Sequence, residues 1–219
     1  MQPILYSFRR CPYAIRTRMT LAYTQISCEL REVKLQAKPQ ALVDASSKAT
    51  VPVLVLDDRV IDESLDIMHW ALARHDPDHW LPAQPAALTS QQALINDCEK
   101  HFKPLLDRYK YADRHPELTV AEHRRNASDF PARLDGQLQQ RYLFGEQPGI
   151  ADIAIFPFIR QFAFVDINWF EQLPLPALQR WLGELLNSEL FIQVMTKLPP
   201  WQPGDTAMLF PAEQHPEHN

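Results

Sequence analysis

Pro3-Ile4-Leu5-Tyr6-Ser7-Phe8-Arg9-Arg10-Cys11-Pro12-Tyr13-Ala14 is the stretch on which the fold turns. An apolar and aromatic run closed by two arginines reads as a short strand. Cys11-Pro12 then opens a helix, because proline at the first helical position has its φ preset and gives up an amide that lacks a partner there anyway. Ile15, Met19 and Ala22 follow at i, i+4 and i+7 and give that helix one buried face. Cys11 therefore stands at a helix N-terminus directly after a strand. Unpaired amides and the helix dipole favour a thiolate at such a place, and the carboxyl edge of a sheet is where α/β folds expose ligands. Arg9, Arg10 and Arg16 are close in sequence and add positive charge. Ala14 occupies the position where a Cys-x-x-Cys motif carries its second sulfur, so Cys11 has to exchange with an external thiol. The plainer reading, a buried inert cysteine, is set aside on the strength of the Cys-Pro junction.

Working outward, residues 28–35 read as a second strand and residues 39–45 as a short helix or turn. Val51-Pro52-Val53-Leu54-Val55-Leu56 is a strongly β-prone run, with Pro52 marking a strand start or edge. Val60-Ile61 follows the turn at Asp57-Asp58, and Ser64 begins a helix with Leu65, Met68 and Leu72 on one stripe. The order β-α-β-α-β-β-α within about 75 residues fits the short connections of a compact domain. Residues 76–86 hold Pro77, Pro82 and Pro85 and read as a linker. Residues 87–219 read as helical throughout. Their stripes are Leu94, Cys98, Phe102, Leu105 and Tyr109, then Leu134, Leu138 and Tyr142, a buried helix over 150–164 and one amphipathic helix over 175–192. The tail from Pro199 onward, with five prolines, is expected as extended surface coil.

Composition removes whole classes of function. The net charge is −5 and the five glycines, at 136, 145, 149, 183 and 204, form neither a Walker loop nor G-x-G-x-x-G. A nucleic-acid binder living on phosphate neutralisation and a glycine-built phosphate cradle are both excluded. Residues 1–75 hold 10 basic against 8 acidic side chains, and residues 76–219 hold 12 against 19, so the first part is mildly positive. Three scattered cysteines suit a reducing compartment, not a disulfide scaffold. The longest apolar segment, 150–170, is broken by Asp152, Arg160 and Asp166, so no membrane span is expected. No signal-peptide core precedes Arg9. The expectation is a cytoplasmic protein without a metal. His75, Asp76, Asp78 and His79 sit among linker prolines, and His215 and His218 in the tail, and both groups read as solvated loop.

Taken together, Cys11-Pro12-Tyr13-Ala14 with Arg16-Thr17-Arg18, then Val51-Pro52-Val53-Leu54, then Glu63-Ser64 opening a helix, resemble the glutathione S-transferase superfamily, in particular its cysteine-type, omega-like and glutaredoxin-2-like members. The resemblance implies a thioredoxin-like α/β N-terminal domain over 1–75, a linker over 76–86 and an all-α C-terminal domain over 87–219. It implies glutathione as co-substrate, with Cys11 as the catalytic cysteine and Tyr13 bordering the site. Leu35 and Lys38 match residues that line the glutathione pocket, Lys38 toward the glycyl carboxylate. Val51 matches the residue whose backbone pairs with the cysteinyl part, and Pro52 the family's cis-proline. Glu63 and Ser64 match the pair that holds the γ-glutamyl end. Physically, an N-cap hydroxyl and nearby free amides suit a carboxylate, and Glu63 suits an α-ammonium. Lys48 is the basic group nearest this stretch, since Thr50 precedes Val51.

The reaction implied is glutathione-dependent thiol transfer or reduction on a small disulfide or electrophilic acceptor. Conjugation of glutathione to an electrophile, and a non-catalytic interaction module on the same scaffold, are the competing readings. Monomer and homodimer are both open. Gly149-Ile150-Ala151-Asp152 falls where the family carries a capping box, so Asp152 is read as structural. Phe102, Tyr109, Phe162, Phe164 and Trp169 are candidates for an apolar co-substrate site or, more simply, for core.

Overall fold

The computed structural model describes Gln2–Pro211, so the tail histidines His215 and His218 lie outside the described residues. The described chain forms two compact units. One takes the described residues up to Pro77 together with those from Glu189 to Pro211, and the other is Asp78–Ser188.

The first unit is built on a sheet in the order β4-β3-β1-β2-β5. Its strands are β1 (Ile4–Ser7), β2 (Cys28–Glu32), β3 (Val53–Val55), β4 (Val60–Ile61) and β5 (Leu209–Phe210). β1 runs parallel to β2 and antiparallel to β3, and β3 to β4 and β2 to β5 are antiparallel. The parallel β1–β2 pair needs a crossover, supplied by α1 (Pro12–Tyr23). α1 packs against α3 (Ser64–Leu72) and α11 (Glu189–Val194). Alternation along the strands divides the core. Tyr6 and Val53 point to one face, where they cluster with Val33, Val51 and Leu42 of α2 (Gln40–Ala45), while the neighbouring Leu5 and Leu54 are buried on the other. The mixed sheet with α1, α2 and α3 is the thioredoxin-like arrangement expected from the sequence.

Three expectations need correction. The tail after Pro199 is not free coil: Leu209–Phe210 pairs with Cys28 and Glu29 of β2, and the Leu30 amide donates to the Met208 carbonyl. This covers an edge of the sheet that would otherwise show unpaired amides. The helix expected over 175–192 is two helices, α10 (Pro176–Leu186) and α11, broken at Asn187 and Ser188. Because α11 and β5 belong to the first unit, residues from Glu189 onward leave the helical domain in which the sequence placed them.

The second unit is helical. α4 (Pro85–Asp97) runs through a π-helical turn, Cys98–Phe102, into α5 (Lys103–Lys110). The widened turn lies just before Pro104, whose missing amide interrupts the i to i−4 ladder. The buried stripe is Ile95, Cys98, Phe102, Leu106 and Tyr109, with Leu94 and Leu105 half-buried. α6 (Val120–Ala127), α7 (Asp129–Gln137) and α9 (Ile167–Glu171) complete the unit with α10 around α8 (Ile150–Ala163). α8 is apolar on all sides and buried along nearly its whole length despite Pro157 inside it. The Asp152 carboxylate is fully buried. It accepts from the Gly149 amide at 2.9 Å, the Leu143 amide at 3.0 Å and Trp181 Nε1 at 2.8 Å. Burial raises its pKa, and these three donors oppose that rise. Phe102, Tyr109, Phe162 and Trp169 pack on one another with ring separations of 5.7–6.5 Å, so they build core, while Phe164 is 53% exposed.

Candidate active site

Cys11 is the N-cap of α1, with extended backbone (φ −72°, ψ 123°) and its carbonyl accepting from the Ile15 amide at 2.9 Å. Its amide bonds back to the Phe8 carbonyl at 3.0 Å, which fixes the turn between β1 and α1. The half-buried thiol reaches the Val51 carbonyl, with Sγ 3.6 Å away. Two residues forty positions apart in the chain are thereby joined at one spot. The Val51–Pro52 bond is cis, and Val51 lies before the β3 ladder, which begins at Val53.

The arginines divide in a way the sequence did not show. Arg10 lies over the Phe8 ring, Arg9 donates from Nη1 to the Met195 carbonyl, and Arg16 turns away to α3. A buried cation, Arg18, interacts electrostatically with Cys11 and is 1% exposed. It donates from Nε to the Val194 carbonyl (3.1 Å), from Nη2 to the Arg9 carbonyl (2.7 Å) and from Nη1 to Ser7 Oγ. Burial pushes this guanidinium down to about 10, opposed by the nearby Glu32 carboxylate and the Cys11 sulfur. A readable signal existed: residues 11 and 18 are two helical turns apart and share a face. Glu32 is raised by burial, against the Arg9 amide that donates to it at 2.8 Å. Cys28, deep in β2, is pushed up to about 12 by burial and then by Glu29, which leaves it a neutral packing group.

At the start of α3, Glu63 is the N-cap and Ser64 the first helical residue, so Ser64 is not the cap that the sequence suggested. The Ser64 side chain is buried and accepts from Arg16 Nε at 3.1 Å and Nη2 at 2.7 Å. The Arg16 guanidinium in turn lies 5.1 Å from the Tyr13 ring centroid, so Tyr13 reaches the site through Arg16. Glu63 is exposed and paired with Lys48 at 2.5 Å, and Lys48 also meets Asp62 at 3.3 Å. These bonds hold the Lys48 ammonium above its ordinary pKa, Glu63 first, and the Ser46 hydroxyl bond lowers Asp62. Leu35 and Lys38 are exposed on the connection between β2 and α2. His75 Nδ1 meets the Thr24 carbonyl at 3.1 Å and Asp76 accepts from the Tyr23 hydroxyl at 2.9 Å, so the two are taken up by α1 and its C-cap.

A thioredoxin-like unit with a cysteine at the first helix N-terminus, a cis-proline beside it and an acidic-serine pair on α3 defines the class. The family model for the glutathione S-transferase N-terminal domain matches residues 5–79, and that for the C-terminal domain matches residues 92–184. The chain belongs to the glutathione S-transferase family. Among curated proteins it is 28% identical over 187 residues to pyrimidodiazepine synthase of Drosophila melanogaster, covering 84% of this chain and 69% of that protein. It is 32% identical over 107 residues to a probable maleylacetoacetate isomerase of Caenorhabditis elegans, covering 48% and 50%. Among solved structures, glutathione transferase Omega 3C from Trametes versicolor shares the fold at TM-score 0.77 and 20% identity, covering 91% of each chain. A glutathione transferase family member from Pseudomonas fluorescens, solved with two glutathione bound, does so at TM-score 0.74 and 19% identity, covering 89% and 92%.

Proposed function

We propose that the protein is a glutathione-dependent thiol transferase whose single reacting sulfur is Cys11. The observation that carries this reading is the 3.6 Å approach of Cys11 Sγ to the Val51 carbonyl at the head of α1. A peptide pairing its cysteinyl part with the Val51 backbone, in the manner of an added strand, presents its own sulfur to Cys11. Tyr13, Leu35, Lys38 and Pro52 border the bound peptide, Ser64 takes the γ-glutamyl carboxylate, and the Glu63 carboxylate, which also pairs with Lys48, takes the ammonium.

The α1 amides and the buried Arg18 charge favour the thiolate. That thiolate attacks the glutathione sulfur of a mixed disulfide between glutathione and an acceptor thiol. The new bond joins Cys11 to glutathione, and the acceptor leaves as a thiolate that takes a proton from water. A second glutathione thiolate attacks the glutathione sulfur held on Cys11, forming glutathione disulfide and returning the Cys11 thiolate. With alanine at position 14, no second local sulfur competes in the resolving step. The synthase and isomerase names of the curated relatives show that the scaffold serves more than one reaction, so the acceptor is left as a small disulfide or electrophile.

The test is thiol transfer from a small glutathionyl mixed disulfide by wild type and Cys11→Ser. Loss of transfer, with a glutathione adduct on wild-type Cys11 seen by mass spectrometry, is expected. Equal rates overturn the reading, and a rise in thioether formation by Cys11→Ser replaces it with conjugation.

A further inference from the structure

We infer that Arg10 sets the acceptor class of the Cys11 reaction, favouring mixed disulfides of glutathione whose departing thiol carries a carboxylate. The inference rests on the reading of Cys11 as the reacting sulfur and adds which acceptors it serves. Four arginines lie between residues 9 and 18, and three are committed to the protein itself. Arg18 is buried and donates to the Val194 and Arg9 carbonyls and to Ser7. Arg16 is buried and closes its fork on Ser64 Oγ. Arg9 is half-buried and reaches the Met195 carbonyl. Arg10 differs. It is exposed, and no carboxylate of the described residues pairs with it. Its guanidinium carbon lies 5.6 Å from the Phe8 ring centroid.

That ring fixes where the charge stands. The Cys11 amide donates to the Phe8 carbonyl at 3.0 Å, which closes residues 8–11 into one turn. Phe8 and Cys11 also pack against the same apolar cluster, which includes Tyr6, Val33 and Val51. A guanidinium laid over Phe8 is therefore at the rim of the cysteine's own site, with its N–H groups open to a ligand. In the first step the Cys11 thiolate bonds to the glutathione sulfur and the acceptor's bond to that sulfur breaks. The electron pair leaves with the acceptor sulfur, which is reduced as Cys11 is oxidised, and water then protonates it. Negative charge thus moves off Cys11 onto the departing thiol. The buried Arg18 favours the charge before this step, and the exposed Arg10 is a cation open to it afterwards. A carboxylate on the departing thiol gives the Arg10 fork a second anion to hold, whereas an ammonium there is repelled. The acidic groups nearby do not cancel this preference. Glu32 accepts from the Arg9 amide and faces the Arg18 charge, and Asp62 and Glu63 are both matched by Lys48. Lys34 and Lys38, exposed on the connection between β2 and α2, carry the same sign as Arg10.

The experiment uses glutathione mixed disulfides of 3-mercaptopropionate, 2-mercaptoethanol and cysteamine, whose departing thiols are anionic, neutral and cationic. Single-turnover formation of the glutathione adduct on Cys11 is followed by quenching and mass spectrometry. Each rate constant is divided by that of the same disulfide with free glutathione, which removes differences in leaving ability. Wild type at low ionic strength should favour the anionic over the neutral acceptor by about threefold, and over the cationic one by about tenfold, the range of a solvent-exposed charge pair. In Arg10→Gln the tenfold span should fall to about threefold or less, and Arg10→Lys should restore most of it. Salt at about 0.5 M should compress the wild-type span in the same way. A flat or reversed order in wild type overturns the inference. So does an Arg10→Gln variant that slows all three acceptors alike and keeps the order, because the arginine then acts on Cys11 itself. Absence of any adduct on Cys11 with all three disulfides instead overturns the thiol-transfer reading, and this inference with it.

Discussion

Asp152→Asn tests whether that carboxylate acts as scaffold or chemistry. Its Oδ1 accepts from the Leu143 amide and Trp181 Nε1, and its Oδ2 from the Gly149 amide. An asparagine can keep its oxygen toward the first two donors, which turns its NH2 against the Gly149 amide. One charge-assisted bond, about 1.5–3 kcal/mol, is lost, and two others weaken to neutral strength. Relief of the burial cost that raises the Asp152 pKa offsets part of this. A net loss of about 2–3 kcal/mol remains, equivalent to a fall in Tm of ~4–12 °C for a chain of this size. The assay is thermal unfolding by circular dichroism, paired with thiol transfer measured well below the lowered Tm. The expected variant is less stable and, per folded molecule, as active as wild type. Lost transfer with an unchanged Tm refutes the structural reading.

Trp201→Ala removes a half-buried ring that stacks 4.2 Å from the Arg31 guanidinium and meets Tyr6 edge-on at 6.2 Å. A loss of about 2 kcal/mol, below that for a fully buried tryptophan, is expected in chemical denaturation, and no loss means the tail does not hold the sheet. Lys48→Met frees Glu63 for the ligand ammonium, so glutathione should bind up to about fivefold tighter in titration, the range of an exposed pair. Tenfold weaker binding instead makes Lys48 a ligand contact. Asp62, lowered by Ser46, Glu122, lowered by Thr119, and Glu184, lowered by Arg141, each have a folded pKa below the unfolded one. Their stabilisation is present above the ordinary carboxylate range and is lost as pH falls through the folded values. Tm should therefore drop below about pH 4, and a Tm that rises there contradicts the assignment.

Local chemistry made much of this molecule readable. Proline at the start of α1 placed Cys11 at its N-cap, and β-prone residues around Val51-Pro52 placed β3 within two residues. The C-terminal domain of the family was visible as apolar stripes, yet the first was one residue out at Leu94 and Leu105, because Leu94-Ile95 and Leu105-Leu106 are adjacent apolar pairs and a helical period accepts either member. The break at Asn187 was hidden because apolar residues continue on both sides in a plausible phase. β5 is two residues long in a proline-rich tail, and its pairing with β2 is entirely non-local. The same holds inside the site. Tyr13, Cys11 and Glu63-Ser64 were legible as positions, but the bond from Arg16 to Ser64 spans 48 residues and the Lys48–Glu63 pair 15, beyond any local period.

Because β5 lies against β2, the sheet that carries Cys11 borrows its last strand from residues 209–210. A ribosome making this chain finishes the helical unit, contiguous over Asp78–Ser188, before it has released the segment that closes the first one. Nascent β2 stays open-edged through all that time. Growth of the polypeptide therefore orders the assembly: the helical insert can fold while the thioredoxin-like unit waits, and an interrupted translation product would carry the cysteine beside an unfinished sheet.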